Sequence, residues 1–101
     1  MMVHELQAVF GERAQERNYK GIDTTLKLAV ALAGKVGKLC GSAKFEDRAD
    51  PEWQVDQEKA FLADVFGYCL LWANHRSFDL ESISVEKFNT DSEKFGSSIT
   101  I

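Results

Sequence analysis

Apolar residues recur every three or four positions along most of this chain, and charged or amide residues lie between them. This spacing places the apolar side chains on one face of an α-helix, so the pattern predicts an all-α protein. The single proline, Pro51, supports this prediction because proline interrupts helices. Four helices are predicted, over about residues 3–18, 24–42, 52–74 (beginning at Glu52 or Val55) and 80–94.

Residues with known preferences for helix ends bound these segments. Gly21 can end the first helix in a left-handed conformation, and Asp23 or Thr24 can cap the second. Asp79 is the predicted N-cap of the fourth helix, and Gly96 is its predicted stop.

The second predicted helix is apolar on most of its sides. One face carries Leu26, Val30, Ala33, Gly37 and Cys40, and another face is rich in leucine and valine. A chain of 101 residues can hardly bury such a helix alone, so we expect the second and third helices to form the core of an oligomer.

One helical domain over residues 1–101 accounts for the whole chain. Residues 43–54 form a polar connection in which Asp50 and Pro51 predict a turn. The tail, residues 97–101, is predicted to be an extended arm that packs on a partner.

Composition limits the function classes. The net charge of −4 argues against nucleic acid as a partner, since such proteins usually carry a basic face. The sequence contains neither a secretory signal nor an apolar run long enough to span a bilayer, so no membrane association is expected. Cys40 and Cys69 lie in apolar runs and are predicted to be buried, reduced thiols, which is typical of a cytoplasmic protein.

Four motifs in series resemble the MazG-like nucleotide pyrophosphohydrolases. Residues 10–19 read FGERAQERNY, residues 28–39 read LAVALAGKVGKL, and residues 62–71 read LADVFGYCLL. The closing motif has FDLE at 78–81, EKFN at 86–89 and KFG at 94–96. The resemblance implies an all-α, four-helix subunit that assembles as a homodimer or homotetramer.

The resemblance also implies a chemistry. The family hydrolyses a nucleoside triphosphate to the monophosphate and pyrophosphate, with Mg²⁺ held by glutamates and an aspartate on two neighbouring helices. The matching positions here are Gly34, Lys35, Lys38, Phe61 and Asp64. Of these residues, only Asp64 has a side chain that can bind magnesium. The lysines near it would repel a cation, so magnesium is doubtful in this chain.

Three interpretations of Asp64 remain open. Lys35 and Lys38 could neutralise it in a buried ion pair that replaces the metal. They could instead bind phosphate together with Lys87, in a pocket without metal. The third interpretation is a working hydrolase whose metal site is displaced toward the acidic residues of the connection: Glu46, Asp47, Asp50 and Glu52.

The closing motif and the aromatic residues add further candidates. By resemblance, Lys87 and Asn89 contact the phosphates, although an ion pair between Lys87 and Asp91 is an equal alternative. Trp53 is the candidate for a base pocket, and packing is the simpler role for the aromatic residues.

The predicted function is therefore that of a MazG-like fold that has lost most metal ligands. Such a protein would be catalytically impaired and would act as a nucleotide- or anion-binding or regulatory subunit. A working magnesium-dependent pyrophosphohydrolase is the first alternative, and a purely structural helical dimer is the second.

Overall fold

Four α-helices build the part of the protein that the structure describes, as the apolar pattern predicts. The computed structural model describes residues 1–47 and 54–101, and no strand occurs among them. The helices are α1 (Val3–Glu16), α2 (Thr25–Asp47), α3 (Val55–His75) and α4 (Leu80–Phe95). None of the described helices is long and apolar enough to cross a bilayer.

The end of α1 differs from the prediction. The helix stops at Glu16. Gly21 is left-handed as predicted, with a φ of 79°, but it lies in the turn beyond the helix end. Asn18 and Tyr19 adopt left-handed backbone conformations with φ of 53° and 52°, and the Tyr19 amide donates to the Ala14 carbonyl oxygen at 2.8 Å. Asparagine tolerates the left-handed region, whereas a tyrosine there usually costs about 1–2 kcal/mol, so the turn is strained at Tyr19.

The other predicted caps are present, but α2 is longer than predicted. The Thr24 hydroxyl accepts from the Lys27 amide, Asp79 accepts from the Ser82 amide, and Gly96 has a φ of 74°. Residues 43–47, predicted as connection, continue α2, since no helix breaker precedes Pro51. The remaining connection, residues 48–53, with the predicted Asp50–Pro51 turn, lies outside the described residues.

The helices pack pairwise. The main helix contacts in the described part of the chain join α2 to α3, α1 to α3, and α1 to α4. The buried apolar side chains of this part are Ala14, Leu28, Leu70 and Ala73. The prediction of buried cysteines was wrong for the single chain, because Cys40 is exposed and Cys69 is half-buried.

A buried amide joins three helices where α1, α3 and α4 meet. The Gln7 side-chain nitrogen donates to the Asn74 side-chain oxygen at 3.0 Å and to the Phe78 carbonyl at 2.7 Å. The Gln7 side-chain oxygen accepts from the Leu80 amide at 3.0 Å, and Asn74 donates to the Gln7 carbonyl at 2.9 Å. This network satisfies backbone groups at the entry to α4 and fixes that helix on α1.

An ion pair at the surface adds to the same junction. His4 Nδ1 lies 2.9 Å from a Glu81 carboxylate oxygen, and the other carboxylate oxygen accepts from the Val3 amide. The hydrogen bond to Glu81 raises the pKa of His4 above 6.5, and the negative charges of Glu81, Glu5 and Asp79 act in the same direction.

Stability should therefore depend on pH through His4. A pKa that is raised on folding stabilises the protein below pH 6.5, and this stabilisation disappears as pH rises through the folded-state pKa. We expect His4→Gln to unfold at lower urea concentration than the parent at pH 5.5 and at the same concentration at pH 9. A difference that persists at pH 9 would mean that the imidazole acts through packing rather than charge.

The C-terminal tail folds back onto its own chain. The Asn89 side chain accepts from the Ile101 amide at 2.9 Å and donates to the Ile101 carbonyl at 3.3 Å. The tail, residues 97–101, has no regular secondary structure, and Ile99 and Ile101 remain exposed. Its packing on a partner stays a prediction.

Candidate functional site

A cavity of about 420 Å³ lies between α1, the turn that follows it and α3. Such a volume is within the range of small-molecule sites. Its wall consists of aromatic, cationic and small residues: Phe10, Arg13, Ala14, Arg17, Tyr19, Lys20, Ile22, Ala63, Asp64, Gly67, Tyr68 and Leu71.

Helical spacing and the strained turn bring the cations together. Intervals of three and four residues separate Phe10, Arg13 and Arg17, so their side chains lie on one face of α1. Arg17 is the residue that directly follows the helix. The left-handed pair at Asn18 and Tyr19 reverses the chain immediately afterwards, so that Tyr19 and Lys20 also line the cavity.

The cavity wall is positive although the chain is negative. It contains three cationic side chains, Arg13, Arg17 and Lys20, and one carboxylate, Asp64. That carboxylate already has a partner outside the wall, because Lys35 Nζ lies 3.0 Å from Asp64 Oδ2. The Arg13 guanidinium carbon stands 4.9 Å from the centre of the Phe10 ring. A positive wall in a chain of net charge −4 favours an anionic ligand.

Aromatic rings form the rest of the cavity wall, and the position of one of them requires a glycine. Phe10, Tyr19 and Tyr68 line the cavity. A Cβ atom at Gly67 would stand 2.8 Å from Phe10 Cε2, so only glycine lets the ring lie where it does. The rings offer flat surfaces on which a planar group could stack.

The positions that the resemblance assigns to metal ligands hold an ion pair and a cation–π contact. Asp64 was expected to be buried, but its side chain is 45% exposed and that of Lys35 is 29% exposed. The ion pair that was predicted to be buried is therefore accessible to solvent. Exposed ion pairs contribute only about 0–1 kcal/mol to stability. Lys38 Nζ lies 5.9 Å from the centre of the Phe61 ring, and Gly34 has open space around it.

This donor set does not fit magnesium. One carboxylate, already paired with an ammonium group, cannot supply the oxygen ligands that an octahedral Mg²⁺ ion needs. Among residues 1–47 and 54–101, no group of three or more histidine, cysteine or acidic residues is placed to hold a metal ion. The displaced site predicted at Glu46, Asp47, Asp50 and Glu52 lies in a region where the side chains are not described.

The remaining predicted site residues lie elsewhere or are not described. Lys87 pairs with Asp91 at 2.6 Å, which is the alternative that the sequence left open, and Asn89 binds the chain end. Both are on α4, which packs on α1, and neither lines the cavity. Their contact with phosphate stays a prediction. Trp53, the candidate for a base pocket, lies outside the described residues.

Sequence reasoning missed the cations of the cavity. Arg13 and Arg17 enter the sequence analysis only as letters of the first motif, and neither they nor Lys20 are among the predicted site residues. The available signal was the series Phe10, Arg13 and Arg17 at helical spacing.

Comparison with protein-family models, with curated proteins and with solved structures gave no match. The resemblance to the MazG-like family therefore stays a prediction from the motifs.

Proposed function

We propose that this protein binds a phosphate-bearing aromatic ligand of the nucleotide class, without magnesium, as a binding or regulatory subunit. The observation that carries the proposal is the set of three cations open to one cavity, with the single carboxylate of that cavity neutralised by Lys35. The fold is taken to be a degenerate MazG-like one, in which the former metal positions no longer hold metal.

The chemistry of the wall favours phosphate. Guanidinium groups form paired hydrogen bonds to phosphate oxygens, and a lysine adds a point charge. Arg13, Arg17 and Lys20 together would neutralise a dianionic phosphate. The rings of Tyr19 and Tyr68 would then receive the planar part of the ligand.

Self-association belongs to the same proposal. The chain exposes 7514 Å², whereas a compact monomer of 11.3 kDa exposes about 5,700 Å². Its radius of gyration is 16.3 Å, against about 13 Å for a compact chain of this length. The excess of about 1,800 Å² exceeds the roughly 800 Å² that each partner buries in a standard interface.

The second and third helices supply apolar surface for this association. Leu26 and Val30 on α2 and Leu62 and Phe66 on α3 are exposed in the single chain. We therefore propose a homodimer or homotetramer in which these helices form the central contact. The same exposed area also favours the second candidate function, a purely structural helical assembly.

Calorimetric titration tests the binding proposal. Inorganic phosphate, pyrophosphate, a nucleoside monophosphate and a nonhydrolysable triphosphate are titrated into the protein in EDTA and again in magnesium. We expect nucleotides to bind in EDTA, and more tightly than inorganic phosphate because of the rings. A pyrophosphate-release assay on the same sample completes the test.

The other possible results of these two assays indicate different functions. Pyrophosphate release that requires magnesium would overturn the proposal in favour of a working hydrolase. Absence of nucleotide binding in both buffers would leave the structural assembly.

A further inference from the structure

A second cavity, of about 260 Å³, lies beside the cationic cavity, which is the one of about 420 Å³. Four residues line both cavities: Ala14, Tyr19, Ile22 and Leu71. Tyr19 and Ile22 belong to the turn that follows α1, and the Ile22 amide donates to the Tyr19 carbonyl oxygen at 2.9 Å. A ligand that contacts Tyr19 in the cationic cavity therefore lies at the boundary of the second cavity.

The second cavity has a different wall chemistry. The residues that line it alone are Gly11, Leu28, Asn74 and His75. Leu28 is 1% exposed, so its side chain supplies a buried apolar surface. None of the described residues that line this cavity is an arginine or a lysine, so a phosphate would lack a permanent positive charge there. Apolar walls with a few polar groups are typical of a site for an uncharged ring.

Asn74 offers the second cavity a donor and an acceptor. Its side-chain oxygen accepts one hydrogen bond from Gln7 Nε2, and its side-chain nitrogen donates one to the Gln7 carbonyl oxygen. A carboxamide has two N–H groups and two lone pairs, so one of each remains after the contacts that the described residues make. A Cβ atom at Gly11 would stand 3.0 Å from Asn74 Nδ2, so the glycine leaves this amide uncovered.

His75 adds a second polar group to this cavity. It follows Asn74 directly, as the last residue of α3, and it is exposed. A neutral imidazole carries one donor and one acceptor nitrogen. Nucleobases present donors and acceptors side by side on the edge of a planar ring, and proteins read them by hydrogen bonds together with stacking on aromatic side chains. The two polar side chains and the Tyr19 ring supply both kinds of contact.

We propose that the second cavity binds the base of a nucleoside monophosphate whose phosphate lies in the cationic cavity. The Tyr19 ring, at the boundary, stacks on the base, and Asn74 and His75 form hydrogen bonds with its polar edge. This inference rests on the proposed function and narrows the ligand class of the same site to nucleoside monophosphates, as opposed to aryl or sugar phosphates.

The separation of the two cavities supports a ligand with a spacer. Along α3, the cationic cavity extends from Ala63 to Leu71, and the second cavity extends from Leu71 to His75. The midpoints of these two segments are about 9 Å apart at the helical rise of about 1.5 Å per residue. The sugar of a nucleotide separates its phosphate from its base, whereas the ring of phenyl phosphate is attached directly to a phosphate oxygen. Ribose 5-phosphate has the spacer but no base.

Calorimetry in EDTA tests the second cavity with three types of ligand: nucleoside monophosphates of the common bases, ribose 5-phosphate and phenyl phosphate. We expect the parent protein to bind at least one nucleoside monophosphate about 10-fold more tightly than the other two types. In His75→Phe the ring keeps a similar size but loses both nitrogens. This variant should bind that nucleotide about 3- to 10-fold more weakly, the usual effect of one hydrogen bond, and should bind ribose 5-phosphate within about twofold of the parent.

His4→Phe is the matched control. His4 is the other histidine of the chain, its side chain is 53% exposed, and it lines neither cavity. The same substitution at this position should leave the affinity for the nucleotide within about twofold of the parent value, since distant sites act independently. Circular dichroism on both variants confirms that the helices persist.

The outcomes separate this inference from the proposed function. If the parent binds phenyl phosphate or ribose 5-phosphate as tightly as every nucleoside monophosphate, the cationic cavity stands as a phosphate site and the second cavity does not hold the base. An unchanged nucleotide affinity in His75→Phe, or an equal loss for the nucleotide and ribose 5-phosphate, would also overturn the inference. A parent protein that binds none of these ligands would overturn the proposed function and the inference together.

Discussion

Replacing Gln7 with leucine is expected to lower the free energy of unfolding by about 2–4 kcal/mol. The leucine fits the volume but can neither donate to the Phe78 carbonyl nor accept from the Leu80 amide. The Asn74 side-chain oxygen would lose its donor as well. Polar groups left without partners in a largely buried place cost more than the hydrogen bonds themselves contribute.

Urea unfolding of Gln7→Leu measures this loss, and Gln15→Leu is the matched control. Gln15 lies on the same helix, and its side chain is exposed. The control should change the free energy of unfolding by no more than about 0.5 kcal/mol. Equal losses in the two variants would show that helix propensity, rather than the buried network, determines the effect of Gln7.

Arg17→Gln should weaken the binding of a nucleotide monophosphate by about 10- to 100-fold. The loss of a hydrogen-bonded charge at phosphate is usually worth about 1.5–3 kcal/mol, and this range corresponds to that change in affinity. Arg17 is the best position for this test, since Arg13 also packs over the Phe10 ring and its replacement would disturb the cavity wall.

Calorimetry in EDTA measures this effect, with Lys59→Gln as control. Lys59 is an exposed cation on α3 that does not line the cavity, so its replacement removes the same net charge from the chain. We expect the control to bind within about twofold of the parent at 150 mM salt, where distant charges are screened. A similar loss in both variants would indicate a general electrostatic attraction and contradict a defined site.

The helical architecture could be predicted because it depends on local signals. The apolar spacing gave all four helices, and the side chains of Thr24 and Asp79 cap their helices as expected. The end of α1 could not be predicted in this way. Gly21 is left-handed as predicted, but Asn18 and Tyr19 adopt left-handed conformations before it, and the hydrogen bond from the Tyr19 amide to the Ala14 carbonyl oxygen closes the turn there.

The candidate site was less predictable because it depends on contacts between distant segments. The family motif directed attention to Lys35, Lys38 and Asp64, and the structure does pair Lys35 with Asp64. The cavity cations come from α1 and the turn after it, while the opposite wall comes from α3. Only the packing of α1 on α3 makes them neighbours, and a helical pattern does not specify which helices pack together.

The small number of buried apolar side chains has a consequence for the temperature at which this protein melts. Leu28 and Leu70, with two alanines, are the buried apolar residues of the described chain, so association would supply much of the remaining stability. An equilibrium between folded dimer and unfolded chains depends on mass action. The melting temperature should therefore fall by a few degrees with each tenfold dilution, whereas that of a self-sufficient monomer would not change.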